Sequence, residues 1–133
     1  MTINTSHQPN NSRIETRMKK QYNIPYILGA LFFFILGVVL SNTYRPYIYT
    51  NHLYDYHFAD TIGNWVAVPS LTLLVVGMNK YTPYKATLYS VMVWFLYEII
   101  PFGVFDYYDL LATLASGALT YLAFYFFKPS GKH

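Results

Sequence analysis

Residues 97–117 read YEIIPFGVFDYYDLLATLASG, and this stretch decides how the chain folds. Its three carboxylates, Glu98, Asp106 and Asp109, lie between and at the ends of two runs that are apolar enough to enter a lipid bilayer. A charged side chain at the centre of a bilayer is costly. These acids must therefore stay in contact with water at a membrane boundary, or serve a function that needs them.

The composition of the whole chain favours a membrane location. Its 133 residues, enough for one domain, are 54% hydrophobic and 20% aromatic but only 11% charged, whereas soluble proteins carry charges on about a quarter of their residues. The net charge of +3 is small and the basic residues are scattered, so nucleic-acid binding has little support. The chain has no Cys, which excludes disulfides, thiolate metal sites and Cys nucleophiles.

Four apolar runs predict four membrane-spanning helices around the acidic stretch. The predicted spans are residues 24–40, 61–78, 86–100 and 110–127. At about 1.5 Å per residue, runs of this length cover most of a hydrocarbon core of roughly 30 Å. Pro69 makes the second span the weakest, because it should kink the helix and leave the Trp65 carbonyl without its usual partner.

The segments outside these runs are polar. We predict a disordered tail over residues 1–23, a four-helix membrane domain over residues 24–128 and a short C-terminal tail over residues 129–133. A cleaved signal peptide is the alternative for the first run. Its n-region would be unusually long and no convincing small-x-small cleavage site follows, so we interpret the run as an uncleaved helix.

The distribution of charge predicts an orientation. With four spans, eight basic residues fall on one side: Arg13, Arg17, Lys19, Lys20, Lys80, Lys85, Lys128 and Lys132. The other side receives Arg45 and every acid except Glu15. By the positive-inside rule both termini are cytoplasmic, and the fold class is an all-α, four-helix transmembrane bundle. The first loop, residues 41–60, is rich in aromatic residues and predicts a segment that lies in the outer interface.

The acids of the opening stretch are candidates for ligand binding or proton linkage. The short connection makes the third and fourth helices antiparallel neighbours, so Glu98 can approach Asp106 and Asp109. Acids favour a helix N-terminus, and Asp109, just before the apolar run, is the better placed of the two to cap the fourth helix. Glu98 lies at a helix C-terminus, where the dipole disfavours an anion. A cationic or amphiphilic ligand, a divalent cation or a membrane partner could supply the missing positive charge.

Two further polar groups accompany these acids. Asp60 and Asn64 share a face at the start of the second helix, where they either cap that helix or join the acidic cluster. On the fourth helix, small and hydroxyl residues at steps of three or four predict a helix-packing face. That face comprises Thr113, Ser116, Gly117 and Thr120. His52 and His57 match no metal-ligand spacing and are expected at the surface, and we assign no metal ion or cofactor.

The second half of the chain resembles the VanZ-like family of small bacterial membrane proteins. That family pairs a Glu near the end of one membrane helix with a segment of the type D-x-x-D-x-x-A-N-x-x-G. Glu98 matches the acid, and Asp106, Asp109, Ala112 and Gly117 match the segment, within a likeness over residues 60–127. Thr113 replaces the usual Asn. The resemblance implies a multi-pass protein of the bacterial plasma membrane and cell envelope.

Three hypotheses of function follow. The first is a non-enzymatic envelope protein whose outward acidic cluster binds a cationic or amphiphilic ligand or a membrane partner, including a second copy of the chain. The second is a subunit of an ion- or proton-coupled transporter. The absence of charges at the centres of the predicted spans argues against it. The third is a metal-assisted lipid hydrolase that combines the acids with His52 or His57. The sequence contains no recognisable catalytic motif.

Overall fold

The computed structural model describes residues 22–100 and 106–127, and the regular structure in these ranges is entirely helical. The four helices are α1 (Ile24–Thr50), α2 (Phe58–Gly77), α3 (Pro83–Ile99) and α4 (Tyr107–Phe126). The predictions for the N-terminal tail up to residue 21, for residues 101–105 and for the C-terminal residues from 128 lie outside the described residues.

Helix α1 is longer than the span predicted for it. The sequence placed residues 41–60 in a loop, but the helix continues through Ser41–Thr50 with Pro46 inside it. The polar side chains of this extension hydrogen-bond to carbonyls one turn earlier: Asn42 Nδ2 donates to Val38 at 2.7 Å and Thr43 Oγ1 to Val39 at 2.7 Å. Polar composition alone therefore did not end the helix, because these side chains are satisfied by its own backbone.

Helix α2 is the centre of the bundle. It packs against each of the other three helices, whereas the backbone of α1 approaches α2 alone among the described helices. Its buried side chains are mostly small or branched, and Val68 and Thr72 are fully buried. The span that the sequence predicted as the weakest is therefore the one on which the other helices assemble.

Pro69 lies inside α2 and removes the N–H that would bond to the Trp65 carbonyl. Ser116 on α4 supplies the replacement, since its Oγ donates to the Trp65 carbonyl at 2.8 Å. Membrane helices tolerate an internal proline when a neighbouring side chain satisfies the freed carbonyl in this way. The proline thus ties α2 to α4.

Glycines set the close approach of the helices. A Cβ at Gly37 of α1 would lie 2.5 Å from a methyl group of Val66, and one at Gly77 of α2 would lie 2.7 Å from the Ile27 side chain and 3.0 Å from its backbone nitrogen. Asn23, just before α1, donates its backbone N–H to the Gly77 carbonyl at 2.8 Å. Small residues at these contacts let the helix backbones approach as membrane helices do.

The bundle has its polar residues inside and many large apolar residues outside. Among the described residues eight polar side chains are buried, namely Thr61, Asn64, Thr72, Thr87, Ser90, Thr113, Ser116 and Thr120. Large side chains such as Leu31, Phe32, Ile35 and Leu119 are about half exposed or more. This distribution suits a hydrocarbon solvent, where packing of small and hydroxyl residues joins helices and apolar side chains face outward.

Three of the described helices, α1, α2 and α4, are long and apolar enough to cross a membrane. Helix α3 has 17 residues and is shorter. It nevertheless packs against both α2 and α4: Ala86 is fully buried beside Val75 and Val76, and Val91 contacts Gly117. The chain is therefore a helical membrane protein with at least three candidate spans among the described residues.

Candidate functional site

The charges of the described residues separate toward the two ends of the bundle. All five acids lie where α1 ends, α2 begins, α3 ends and α4 begins; we call this the acidic end, and its acids are Asp55, Asp60, Glu98, Asp106 and Asp109. The opposite end, which we call the basic end, carries Lys80 and Lys85 beside the connection from α2 to α3. Arg45 is the one described Lys or Arg at the acidic end.

Asp60 organises the contact between α1 and α2 at the acidic end. The Tyr49 hydroxyl donates to Oδ1 of Asp60 and accepts a hydrogen bond from Arg45 Nε at 3.4 Å. Arg45 Nη2 lies 3.6 Å from the same carboxylate, and His57 Nδ1 lies 3.4 Å from its other oxygen. Asp60 therefore faces α1 and the preceding loop, and its charge is compensated there.

The loop before α2 is held in a strained conformation that positions His57. His52, Tyr56 and His57 have positive φ angles of 51°, 57° and 63°, an uncommon conformation for side chains larger than glycine. The His57 ring stacks on Tyr108 of α4 with 4.3 Å between ring centroids and 17° between ring planes. His57, expected at the surface, is about 40% exposed and also contacts both Asp60 and Tyr108 of α4.

The cap of α4 is Asp106 and not Asp109. Helix α4 begins at Tyr107, three residues before the predicted start, so Asp106 is at the N-cap and accepts the Tyr108 backbone N–H at 2.8 Å. Asp109 falls within the first turn, and its carboxylate bonds to none of the described backbone N–H groups. The sequence favoured the wrong acid because the apolar run begins later than the helix does.

Asp60 and Asn64 take different roles, although the sequence grouped them. Neither caps α2; that helix start is bonded instead by Asp55, whose Oδ2 accepts the Ala59 N–H at 2.7 Å. Asn64 is buried, and its Nδ2 donates to the main-chain carbonyl of Asp109 at 3.2 Å. Asn64 thus fixes the first turn of α4 against α2, and only Asp60 belongs to the α1 contact.

Glu98 and Asp109 are the two uncompensated acids. Both are half-buried, and neither carboxylate has a hydrogen bond or ion pair with any residue in the described ranges. The negative charges of Glu98, Asp106 and Asp60 repel the Asp109 carboxylate. Among the described residues, Arg45 provides the opposing attraction. The structure therefore brings Glu98, Asp106 and Asp109 to one end of the bundle and leaves two of them without partners.

The helix-packing face that the sequence predicts on α4 lies in the interior of the bundle. Thr113, Ser116, Gly117 and Thr120 are all buried. Gly117 approaches Val91 of α3 so closely that a Cβ would overlap it, and Thr120 Oγ1 donates to the Ser116 carbonyl at 2.8 Å. Thr113 differs from the others, because its Oγ1 is buried with no hydrogen-bond partner in the described part of the chain.

A cavity of about 420 Å³ opens at the acidic end beside Asp55, and we call it the Asp55 cavity. Its walls come from the loop before α2, the first turns of α2 and the first turns of α4. Aromatic and apolar side chains dominate the lining, including Tyr56, Phe58, Trp65 and Tyr108, with Asp55 as its one acid. The acidic end thus combines carboxylates with an apolar recess.

Within residues 22–100 and 106–127, no group of three or more His, Asp or Glu side chains is arranged to hold a metal ion. Comparisons with protein-family models, with curated proteins and with solved structures find no match for this chain. The VanZ-like resemblance therefore stays a prediction from the motif around Glu98 and Asp109.

The sequence did not foresee the Arg45–Tyr49–Asp60–His57 cluster. Two spacings could have indicated it: Arg45 and Tyr49 are one helical turn apart, and His57 and Asp60 are three apart at a helix start. The missing information was that α1 continues far enough to bring Arg45 and Tyr49 beside α2.

Proposed function

We propose that this chain is a multi-pass, VanZ-like protein of the bacterial plasma membrane that binds a cationic amphiphile at its acidic end. The observation that carries the proposal is the pair of half-buried, unpartnered carboxylates, Glu98 and Asp109. Carboxylates held near one another without a cation repel, and a bound positive charge removes that repulsion.

The proposed topology has four spans, with α3 crossing beside α2 and α4. Its 17 residues rise about 25 Å, which is most of a hydrocarbon core. Four spans place both termini and the basic end in the cytoplasm, in agreement with the positive-inside rule. The acidic end then faces the envelope side, where a ligand from outside reaches it without crossing the membrane.

One feature supports an amphiphile over a simple cation. The Asp55 cavity offers an aromatic and apolar recess at the same end as the acids. A simple cation would use only the carboxylates, whereas an ammonium with an alkyl chain also has apolar surface to bury in a recess of this kind.

The test is binding of dodecylammonium to the full chain in phosphatidylcholine nanodiscs, followed by calorimetry. Glu98→Gln and Asp109→Asn should each weaken binding by about tenfold, the effect expected when a hydrogen bond to a charged group is lost. Dodecanol, which has the same chain without the charge, should bind weakly to all forms.

The matched control is Asp106→Asn, which removes one negative charge from the same end while an Asn side chain still caps α4. It should weaken binding less than the other two substitutions. Circular dichroism melting checks that each variant remains folded. Equal binding of dodecylammonium and dodecanol, or equal affinities in all variants, would contradict the proposal.

A further inference from the structure

A second recess of the bundle lies away from the acids. It is an apolar groove of about 430 Å³ between α1 and α4, with α2 as its floor. Trp65, Pro69 and Leu73 form the floor, while Phe33 on α1, Leu119 on α4 and Phe127 just after α4 form the walls. We call it the Pro69 groove. Trp65 also lines the Asp55 cavity, so this side chain stands between the two recesses.

Two hydroxyl groups that line the Pro69 groove, those of Ser116 and Thr120, are already hydrogen-bonded. Ser116 Oγ donates to the Trp65 carbonyl and Thr120 Oγ1 donates to the Ser116 carbonyl, each at 2.8 Å. The remaining lining is mostly hydrocarbon and aromatic. An occupant therefore gains little from polar groups inside the groove, and a hydrocarbon chain fits its chemistry.

The length of the groove matches one leaflet. The wall formed by α4 and the residue after it runs from Ser116 to Phe127, a rise of about 16 Å at 1.5 Å per residue. Half of a hydrocarbon core of roughly 30 Å is about 15 Å. An acyl chain that enters at Phe127 therefore ends near Trp65.

The width of the groove disfavours a helix from a second copy. The rings of Tyr26 on α1 and Phe124 on α4 lie 6.0 Å apart at the basic end and bring the two walls together. A helix with its side chains is about 10 Å wide and would have to separate these rings. A single acyl chain is narrower and can lie along them.

In the sequence, basic residues adjoin both segments that line the basic end of the groove. Lys128 directly follows Phe127, and Lys19 and Lys20 precede the start of α1 by a few residues. Basic residues beside a recess between membrane helices attract anionic lipid headgroups. We propose that the Pro69 groove binds one acyl chain of an anionic phospholipid from the leaflet at the basic end.

The test uses the fluorescence of Trp65. Trp94→Phe leaves Trp65 as the single Trp of the two in the chain. This full-length variant is reconstituted in two preparations of phosphatidylcholine vesicles. One contains a low fraction of brominated phosphatidylglycerol and the other the same fraction of brominated phosphatidylcholine, both brominated near the end of the acyl chain. Quenching of Trp65 fluorescence should give an apparent affinity about fivefold higher for brominated phosphatidylglycerol than for brominated phosphatidylcholine. This is the effect of roughly one basic residue near a membrane surface.

Two substitutions separate the groove from bulk lipid. Ala123→Phe places a ring in the groove lining and should abolish the excess quenching, whereas Leu122→Phe changes a neighbouring exposed position that does not line the groove and should preserve it. Lys128→Gln combined with Lys19→Gln and Lys20→Gln should remove the preference for phosphatidylglycerol while quenching by phosphatidylcholine persists. Circular dichroism confirms folding of each variant.

Three results would overturn the proposal. The first is equal quenching by the two brominated lipids in the Trp94→Phe background. The second is a preference for phosphatidylglycerol that survives the triple lysine substitution. The third is weak quenching by both lipids that rises when the protein is diluted into excess lipid, which would show that a second copy fills the groove.

Discussion

The α1–α2 pair is closed by different chemistry at its two ends. At the acidic end, Arg45 and Tyr49 reach Asp60 through side chains that are partly exposed. At the basic end, the Asn23 backbone N–H bonds to the Gly77 carbonyl, and Ile27 packs against the space that a larger residue would fill. One end is therefore joined by polar side chains and the other by close backbone approach.

Because of this difference, the side chains at the acidic end can exchange their hydrogen-bond and ion-pair partners, whereas the packed backbone at the basic end cannot. Water, salt and a charged ligand all compete for the polar contacts at the acidic end, which are individually weak for exposed groups. The basic end depends on volume, and neither salt nor ligand changes the volume of a side chain. We expect substitutions at the basic end to have the larger effects on stability.

The strongest test of that comparison is Gly77→Ala. The added methyl would meet the Ile27 side chain at 2.7 Å, its backbone nitrogen at 3.0 Å and the Asn23 carbonyl oxygen at 3.2 Å, so backbone must move. We expect a loss of about 3 kcal/mol in the free energy of unfolding, the upper part of the range for overpacking. Unfolding by SDS from mild detergent micelles, followed by circular dichroism, measures it.

The control is Gly63→Ala in the same helix, where a Cβ would have no neighbour within 4 Å. It should be neutral or slightly stabilising, since Ala is the better helix former. If Gly77→Ala proved as mild as Gly63→Ala, close backbone approach would not be what closes the basic end.

A smaller effect is expected midway along α2, where Ser116 bonds to the Trp65 carbonyl. Ser116→Ala leaves a carbonyl unpartnered and should reduce the free energy of unfolding by about 2 kcal/mol. In a Pro69→Ala background the carbonyl regains a helical N–H, so the same substitution should have a much smaller effect. The four proteins form a double-mutant cycle measured by the SDS unfolding assay.

Ser90→Ala is the matched control for this cycle. Ser90 is fully buried and donates to the Ala86 carbonyl within its own helix. No proline removes the backbone partner of that carbonyl, so loss of the Ser90 hydroxyl does not leave it unpartnered. It should have a small effect with or without Pro69. Additive effects of Ser116→Ala and Pro69→Ala would refute the assignment of Ser116 as the replacement donor.

The smallest effect is expected at the acidic end. Tyr49→Phe removes the hydroxyl that bridges Arg45 and Asp60 and should lower the free energy of unfolding by about 1 kcal/mol or less, with a difference that shrinks at high salt. Tyr47→Phe, at another exposed position of α1 without a described hydroxyl partner, should have no effect. A Tyr49→Phe loss as large as that of Gly77→Ala would reverse the comparison between the two ends.

The helical membrane fold could be predicted from periodicity and composition, because a bilayer demands long apolar helices whatever they pack against. Three of the four predicted spans correspond to helices that are long and apolar enough to cross. The positions of the acids near helix ends were likewise visible, since charged residues are kept out of apolar runs. The end of α1 at Thr50 was not, because its polar residues bond to the helix backbone and to α2.

The roles of the acids depended on where each helix begins and on contacts between helices. Capping by Asp106 followed from where α4 begins, and compensation of Asp60 followed from the approach of Arg45 and Tyr49 across two helices. The sequence by itself determined the class of fold and the placement of charge at the helix ends, since both depend on solvent preference. Only the tertiary structure decided which acids are paired, because pairing requires atoms from distant parts of the chain to meet within a few ångströms.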